Sequence, residues 1–300
     1  MSYVTTGAWN YIKIPQFVEE TTFGTCPSAP TFTSCGAITD NAYTAESGVI
    51  TNRQLGSRDI YQDIKTAEIH QLVFKYQPYN TQFMRYGTEL FNLTATDNIS
   101  RSLSILWSQL INGVENYFLA QGCRTDKLEI NVTEPKVEVT QTILAQKVNT
   151  PATSFALAGG TGTPVYCAPN VGAPWSGLNG GSAPLTINAL SYDTISFKVT
   201  VNNNIDKVKP LGETFYKFLD PTNRDVIVDF DIVYKDTVSF GDMKTLTARS
   251  ASMSINSGTT TSVGLTNLYL EKYASPDTPT ANKIKTATYA GRAQQIAMVN

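Results

Sequence analysis

The tightest constraint on what this chain can fold into is a two-residue rhythm of apolar and polar side chains. Ile195, Phe197, Val199 and Val201 are separated by Ser196, Lys198 and Thr200, and Val228, Phe230 and Ile232 are separated by Asp229 and Asp231. Leu72, Phe74 and Tyr76, then Leu103 and Ile105, then Leu128, Ile130 and Val132, then Val137 and Val139 keep the same step, as do Met253 and Ile255 and, less cleanly, Leu268 and Leu270. A strand turns successive side chains to opposite faces, so each run has one face for a core and one for water. That pattern belongs to antiparallel sheets covered on one side.

Helical spacing is scarce. Phe83 and Met84 mark one short amphipathic candidate within residues 81–91, and Phe240 and Met243 mark another within 236–246. Each directly follows a strand. Residues 149–186 read differently. Gly159, Gly160, Gly162, Pro164, Gly177, Gly180 and Gly181 fall there without periodicity, which marks a linker or an extended loop. The expected organisation is therefore a β-domain over 1–150, a Gly/Pro-rich segment over 151–186 and a second β-domain over 187–300.

The two halves repeat an order of events. In the first, Leu55-Gly56 precedes the strand at Leu72 to Tyr76, then the helix candidate, then Arg101 to Ile105, then Gly122 and the strand at Leu128. In the second, Leu211-Gly212 precedes the strand at Val228 to Tyr234, then the helix candidate, then Ala251 to Ile255, then Gly264 and the strand at Leu268. An internal duplication halves the number of chains needed to close a ring.

Composition narrows the function classes. Charged residues are 16% of the chain, against about 25% in a typical soluble domain. Depletion of charge suits a surface spent on contacts between copies. The net charge is −2 and no basic stripe is visible, which argues against tight nucleic-acid binding. The single histidine, His70, lies in the apolar phase of its strand and reads as a packed or interface side chain. Cys26, Cys35, Cys123 and Cys167 form no metal-ligand spacing and read as isolated buried thiols, with a Cys26–Cys35 bridge as the alternative. Asp229 and Asp231 share a strand face and read as a solvated sheet face before an acid–base or cation-binding pair. The glycines at 159–162 lack the lysine of a phosphate-binding loop. Trp107, Trp175 and the 15 tyrosines suit core and interface packing before a sugar platform. The N-x-S/T triplets at Asn92, Asn98 and Asn131 arise by chance in a chain this rich in Asn and Thr. Residues 1–6 do not read as a signal peptide, and no apolar run is long enough for a membrane helix. Neither enzyme, cofactor nor metal is expected.

The second half resembles the tail tube proteins of long-tailed phages and archaeal viruses. The resemblance is carried by the strand Ile195 to Val201 running into Asn202, Asn203, Asn204 and Ile205, then a loop with Leu211-Gly212, then Arg224-Asp225 opening the strand to Phe230. Glu19-Glu20-Thr21-Thr22-Phe23-Gly24-Thr25 before a proline, and Gly122-Cys123-Arg124 before the strand at Leu128, resemble the family in the first half. The resemblance implies β-sandwich domains with a flanking helix, whose inner strands join between subunits into a channel-forming β-barrel. It implies a virion tail location, assembly in the host cytoplasm, copies of the chain and other tail proteins as partners, and transient passage of double-stranded DNA. Such a barrel closes with six equivalent domains, so two-domain chains make a trimeric, pseudo-sixfold ring. Closure would also remove exposed sheet edges.

Within that expectation Asp229, Asp231, Ser196, Lys198 and Thr200 are assigned to the channel side, with Gln71 and Lys75 as first-half counterparts. Acidic residues there would repel DNA phosphates. The loop between the two clearest strands, about 203–224, exceeds an ordinary hairpin connection. By resemblance it reaches the adjacent ring through Lys207, Lys209 and Glu213, and residues 51–66 form its counterpart. The competing reading is a β-sandwich adhesin or carbohydrate-binding module of a virion.

Overall fold

The structure, a computed structural model, describes residues 11–28, 30–53, 60–88, 101–133, 136–149, 155–157, 160–162, 185–211, 213, 215–233, 238–255, 262–274 and 286–299. It is almost wholly antiparallel sheet. The first half contains β1 (Tyr11–Glu19), β2 (Thr33–Ser34), β3 (Ala37–Arg53), β4 (Ile60–Gln77), α1 (Gln82–Thr88), β5 (Leu103–Ile111), β6 (Val114–Thr133), β7 (Lys136–Ala145) and β8 (Lys147–Val148). Two three-residue strands, β9 (Phe155–Leu157) and β10 (Gly160–Gly162), pair with each other inside the Gly-rich segment. The second half contains β11 (Leu185–Ile187), β12 (Leu190–Tyr192), β13 (Thr194–Asn202), β14 (Ile205–Val208), β15 (Phe218–Pro221), β16 (Asp225–Val233), α2 (Val238–Thr245), β17 (Arg249–Ser254), β18 (Ser262–Ala274) and β19 (Thr286–Val299).

Both helices fall where helical spacing placed them. The other elements bear out the duplication at the level of hydrogen-bond register. In the first half the strands are ordered β3-β4-β7-β6-β5-β1, and in the second β13-β16-β19-β18-β17-β11. Their irregularities coincide as well. A bulge interrupts β3 between Ile38 and Asp40 opposite β4, and β13 between Thr194 and Ser196 opposite β16. Another lies between Thr125 and Lys127 on β6, and between Leu270 and Lys272 on β18. A third separates Leu103 from Ile105 on β5, and Arg249 from Ala251 on β17. Bulges are placed features of a fold, so three shared positions are strong evidence of one ancestral unit.

This register corrects the alignment read from sequence. The counterpart of Gly122 is Asn267, not Gly264: Gly122 has φ 62° and Asn267 φ 50°, each beside the corresponding bulge. Asn is among the few residues with a side chain that tolerate the left-handed region. Leu103 and Ile105 correspond to Arg249 and Ala251, four residues before the segment matched by composition. Alternating Ser/apolar runs look alike at every two-residue shift, so periodicity alone could not fix the register.

The expected separation into two sandwiches joined only by residues 151–186 also needs correcting. One sheet of 15 strands runs through both halves. Its seam is β6 against β13, with Val132 opposite Phe197, Ile130 opposite Val199 and Leu128 opposite Val201. All six side chains are completely buried. They belong to a core cluster that continues from Phe74, Phe83 and Val139 in the first half to Phe230, Tyr289 and Ile296 in the second. Burying one such side chain is worth about 1.5–3 kcal/mol, and the exposed edges of two apolar strands would forfeit it. Helix α1 covers the seam from the core side, touching β6 and β19. Gly87 makes the approach close: a Cβ there would meet the Leu128 side chain at 2.8 Å.

The opening Glu19-Glu20 motif has a structural task. Glu20 is buried and accepts hydrogen bonds from the backbone N–H of Gly24 at 2.8 Å, the backbone N–H of Gly122 at 2.9 Å and Ser104 Oγ at 2.6 Å. It thereby clamps the turn after β1 to the bulge of β5 and β6. Glu19, on the outer side, accepts from Tyr86 Oη at 2.7 Å and pairs with Arg101 at 3.0 Å. Removing the carboxylate strands buried donors, each costing about 1–3 kcal/mol. Glu20→Ala is expected to lower stability by about 3 kcal/mol, measured as a fall in the urea midpoint at unchanged m-value. A change below about 0.5 kcal/mol would show the clamp to be dispensable.

Candidate functional site

Two surfaces stand out: the polar face of the continuous sheet, and an arm that projects from it. The polar face is the side of β4, β7, β6, β13, β16 and β19 turned away from the core. Every channel-side residue expected from sequence lies on it. Asp229 and Lys198 are exposed, and Asp231, Ser196, Gln71 and Lys75 are half-buried. Thr200 shares the phase yet is buried. Asp231 accepts hydrogen bonds from Ser196 Oγ at 2.6 Å and Thr288 Oγ1 at 2.5 Å, tying β16 to both neighbouring strands. Lys198 stands in register between Asp229 of β16 and Asn131 of β6, so the face crosses the seam without a break.

The face is not acidic, as the aspartates alone implied. Lys75 pairs with Glu138 at 3.0 Å, Lys136 with the same carboxylate at 3.0 Å, and Lys127 with Glu129 at 2.7 Å. Burial pushes the Glu138 carboxyl up, but hydrogen bonds and charge from Lys75 and Lys136 outweigh it and hold it below its ordinary range. Cations and carboxylates interleave along β6 and β7 and, through Lys75 and Glu138, across β4 and β7, where cross-strand pairing favours opposite charges.

The stretch 203–224 is an arm rather than an open loop, because β14 and β15 pair within it from Ile205↔Pro221 to Val208↔Phe218. Lys207, Lys209, Val208 and Phe218 are exposed, Leu211 is fully so, and Glu213 is half-buried. The arm leaves the second half but is anchored on the first. Ile205 and Leu219 pack with Leu144 and Phe23. Arg124 donates to the Leu219 carbonyl and to Asp220 Oδ1 at 2.7 Å, with its guanidinium 4.8 Å from the Phe23 ring centroid. The Ile205 N–H donates to Asp126 Oδ1 at 3.1 Å. The extended part of β3 and β4 (residues 47–53 and 60–69) occupies the equivalent position in the first half.

The Asn triplet forms the arm's shoulder. Asn203 is buried and donates through Nδ2 to the carbonyls of Gly87 and Thr125 at 3.0 and 2.8 Å. Asn204 takes φ 47° and donates to the Asn223 carbonyl at 2.7 Å. Arg124, Phe23 and Asp126 were not singled out as arm anchors from sequence. Their partners lie far away in the chain, and only the seam brings them together.

The remaining chemistry is structural. His70 is buried, with Nδ1 3.0 Å from Tyr43 Oη and Nε2 3.4 Å from Glu68. Cys26, Cys35 and Cys123 are free and buried, and burial raises all three thiols. Cys167 lies outside the described residues, as does most of 151–184. Among the described residues no group of His, Cys, Asp and Glu is placed to hold a metal ion, and no helix is long and apolar enough to cross a membrane.

The chain is thus a duplicated antiparallel sheet whose two units join edge to edge, with a mixed-charge polar face and a projecting arm. The family model for phage tail tube proteins matches residues 16–293, and the chain belongs to that family. No individually curated protein matches it. It is a structural tail protein and not an enzyme.

The arm's anchoring yields a local test. Arg124→Ala is expected to lower amide-exchange protection in 205–221 by about tenfold, while the β6 and β13 amides keep theirs. Equal loss in arm and seam would show that Arg124 supports the whole sheet instead.

Proposed function

We propose that three copies of this chain close a pseudo-sixfold ring, that rings stack into the tail tube, and that the polar face of the sheet lines the channel through which DNA passes. The observation that carries the reading is the β6–β13 seam. It shows one unit continuing the sheet of another, which is what a barrel closed across subunits requires. The lining on this reading includes Asp229, Asp231, Ser196, Lys198, Gln71 and Lys75. Its interleaved charges let phosphates slide past without a cationic patch that would hold them. A symmetry-resolved image of assembled tubes tests the arrangement. Three chains per ring, both halves around the channel and these residues inside are the expected result. Six chains per ring with one half outside would overturn it.

The arm's role in this reading is stacking. Leu211, Val208 and Phe218 expose apolar surface at the end of the β14–β15 hairpin, and the partner that would cover them is the next ring. Deleting Lys207 to Phe218 is expected to leave a folded protein that forms single rings and no tubes, seen by negative-stain microscopy and sedimentation. Tubes of normal length from the deletion variant would remove the arm from the stacking contact.

A further inference from the structure

β6 and β18 are equivalent strands, but they do not have equivalent neighbours. On one edge β6 pairs with β7 and β8, and β18 pairs with β19 in the matching register: Ala120↔Val148 corresponds to Leu265↔Ile296. On the other edge β6 pairs first with β5 as far as Cys123 and then with β13 from Lys127 to Thr133. β18 pairs with β17 as far as Leu268, the position equivalent to Cys123. Past that point, from Tyr269 to Ala274, its second edge carries no strand among the described residues.

The complementary edge is at the far end of the same sheet. β3 is the equivalent of β13, since both carry the same bulge and each pairs with the equivalent strand, β4 or β16. β13 has β16 on one edge and β6 on the other, whereas β3 has β4 alone among the described residues. The described sheet therefore carries two open edges, on β18 and on β3, whose equivalents β6 and β13 already meet internally at the seam.

We infer that the outer edge of β18 pairs antiparallel with β3 of a second copy of this chain, in the register of the internal seam. This rests on the self-assembly proposed above and specifies its contact. Transposing Asn202↔Lys127, Val201↔Leu128 and Thr200↔Glu129 through the shared bulges places Glu46 of the next copy opposite Lys272, Ala45 opposite Tyr273 and Thr44 opposite Ala274. Lys272 and Glu46 are both exposed in the single chain. Their opposite charges fall directly across from one another, where the internal seam has a Lys–Asn pair. Helix α1 bridges its seam by touching β6 and β19, and α2 sits on β18 in the equivalent place. Leu246, just past the end of α2, is exposed.

Charge reversal and cross-linking test this register. Glu46→Lys or Lys272→Glu alone is expected to raise the protein concentration needed for assembly by about tenfold, and the two together to restore it to within about twofold. A chain carrying both Glu46→Cys and Lys272→Cys is expected to give, under mild oxidation of assembled rings, a ladder on non-reducing gels that ends at the ring number. Each single Cys variant, and Ala42→Cys with Lys272→Cys, is expected to give none. Rings that assemble without the Glu46–Lys272 cross-link, or with the Ala42 one instead, would overturn the register while leaving self-assembly intact. A wild-type chain that stays monomeric would overturn both.

Discussion

The structure depends on one requirement: a β-strand edge must find a partner for its backbone N–H and C=O groups. In most small β-proteins that partner is a neighbouring strand of the same unit, or the edge is blunted. Here the partner of β6 is β13 of the second unit. That choice makes the rest follow. It merges two cores into one, sets α1 across the junction and carries the polar face over it unbroken. It also brings Arg124 and Asp126 within reach of the arm.

Polar groups maintain the geometry that the apolar core alone would leave loose. A hydrophobic cluster tolerates small shifts of one strand against another, but a buried carboxylate with three donors does not. Glu20 fixes the shared bulge of β5 and β6, and the Tyr76–Gln141–Thr125 chain, with hydrogen bonds of 2.9 and 2.7 Å, crosses three strands inside the core. Asn203 ties the end of α1 to the arm's base. Each lies near a point where the chain leaves regular pairing, and that is where register is most easily lost.

Much of this was legible in the residues. Alternation at Phe197–Val199–Val201 and Val228–Phe230–Ile232 gave the strands and their buried phase, and spacing at Phe83 and Met84 gave α1. The polar phase of Asp229, Asp231 and Lys198 was also readable, because period two leaves only two choices. What could not be read was who sits beside whom. Nothing local marks β13 as the neighbour of β6, or β14 and β15 as a hairpin resting on Phe23. The mixed charge of the polar face was missed for the same reason, since Lys75 meets Glu138 only through the β4–β7 register. Asn267 standing in for Gly122 was hidden because the two residues share a backbone angle rather than a side chain.

The covalent link between the two units has a thermodynamic consequence. A junction between separate molecules forfeits translational and rotational freedom each time it forms. The β6–β13 junction forfeits less, because a tether holds its partner at an effective concentration on the order of millimolar. In the proposed ring, every second junction is preformed at folding, and only the remaining ones depend on encounter. Closing such a ring then takes half as many encounters between molecules as it would with single-unit chains.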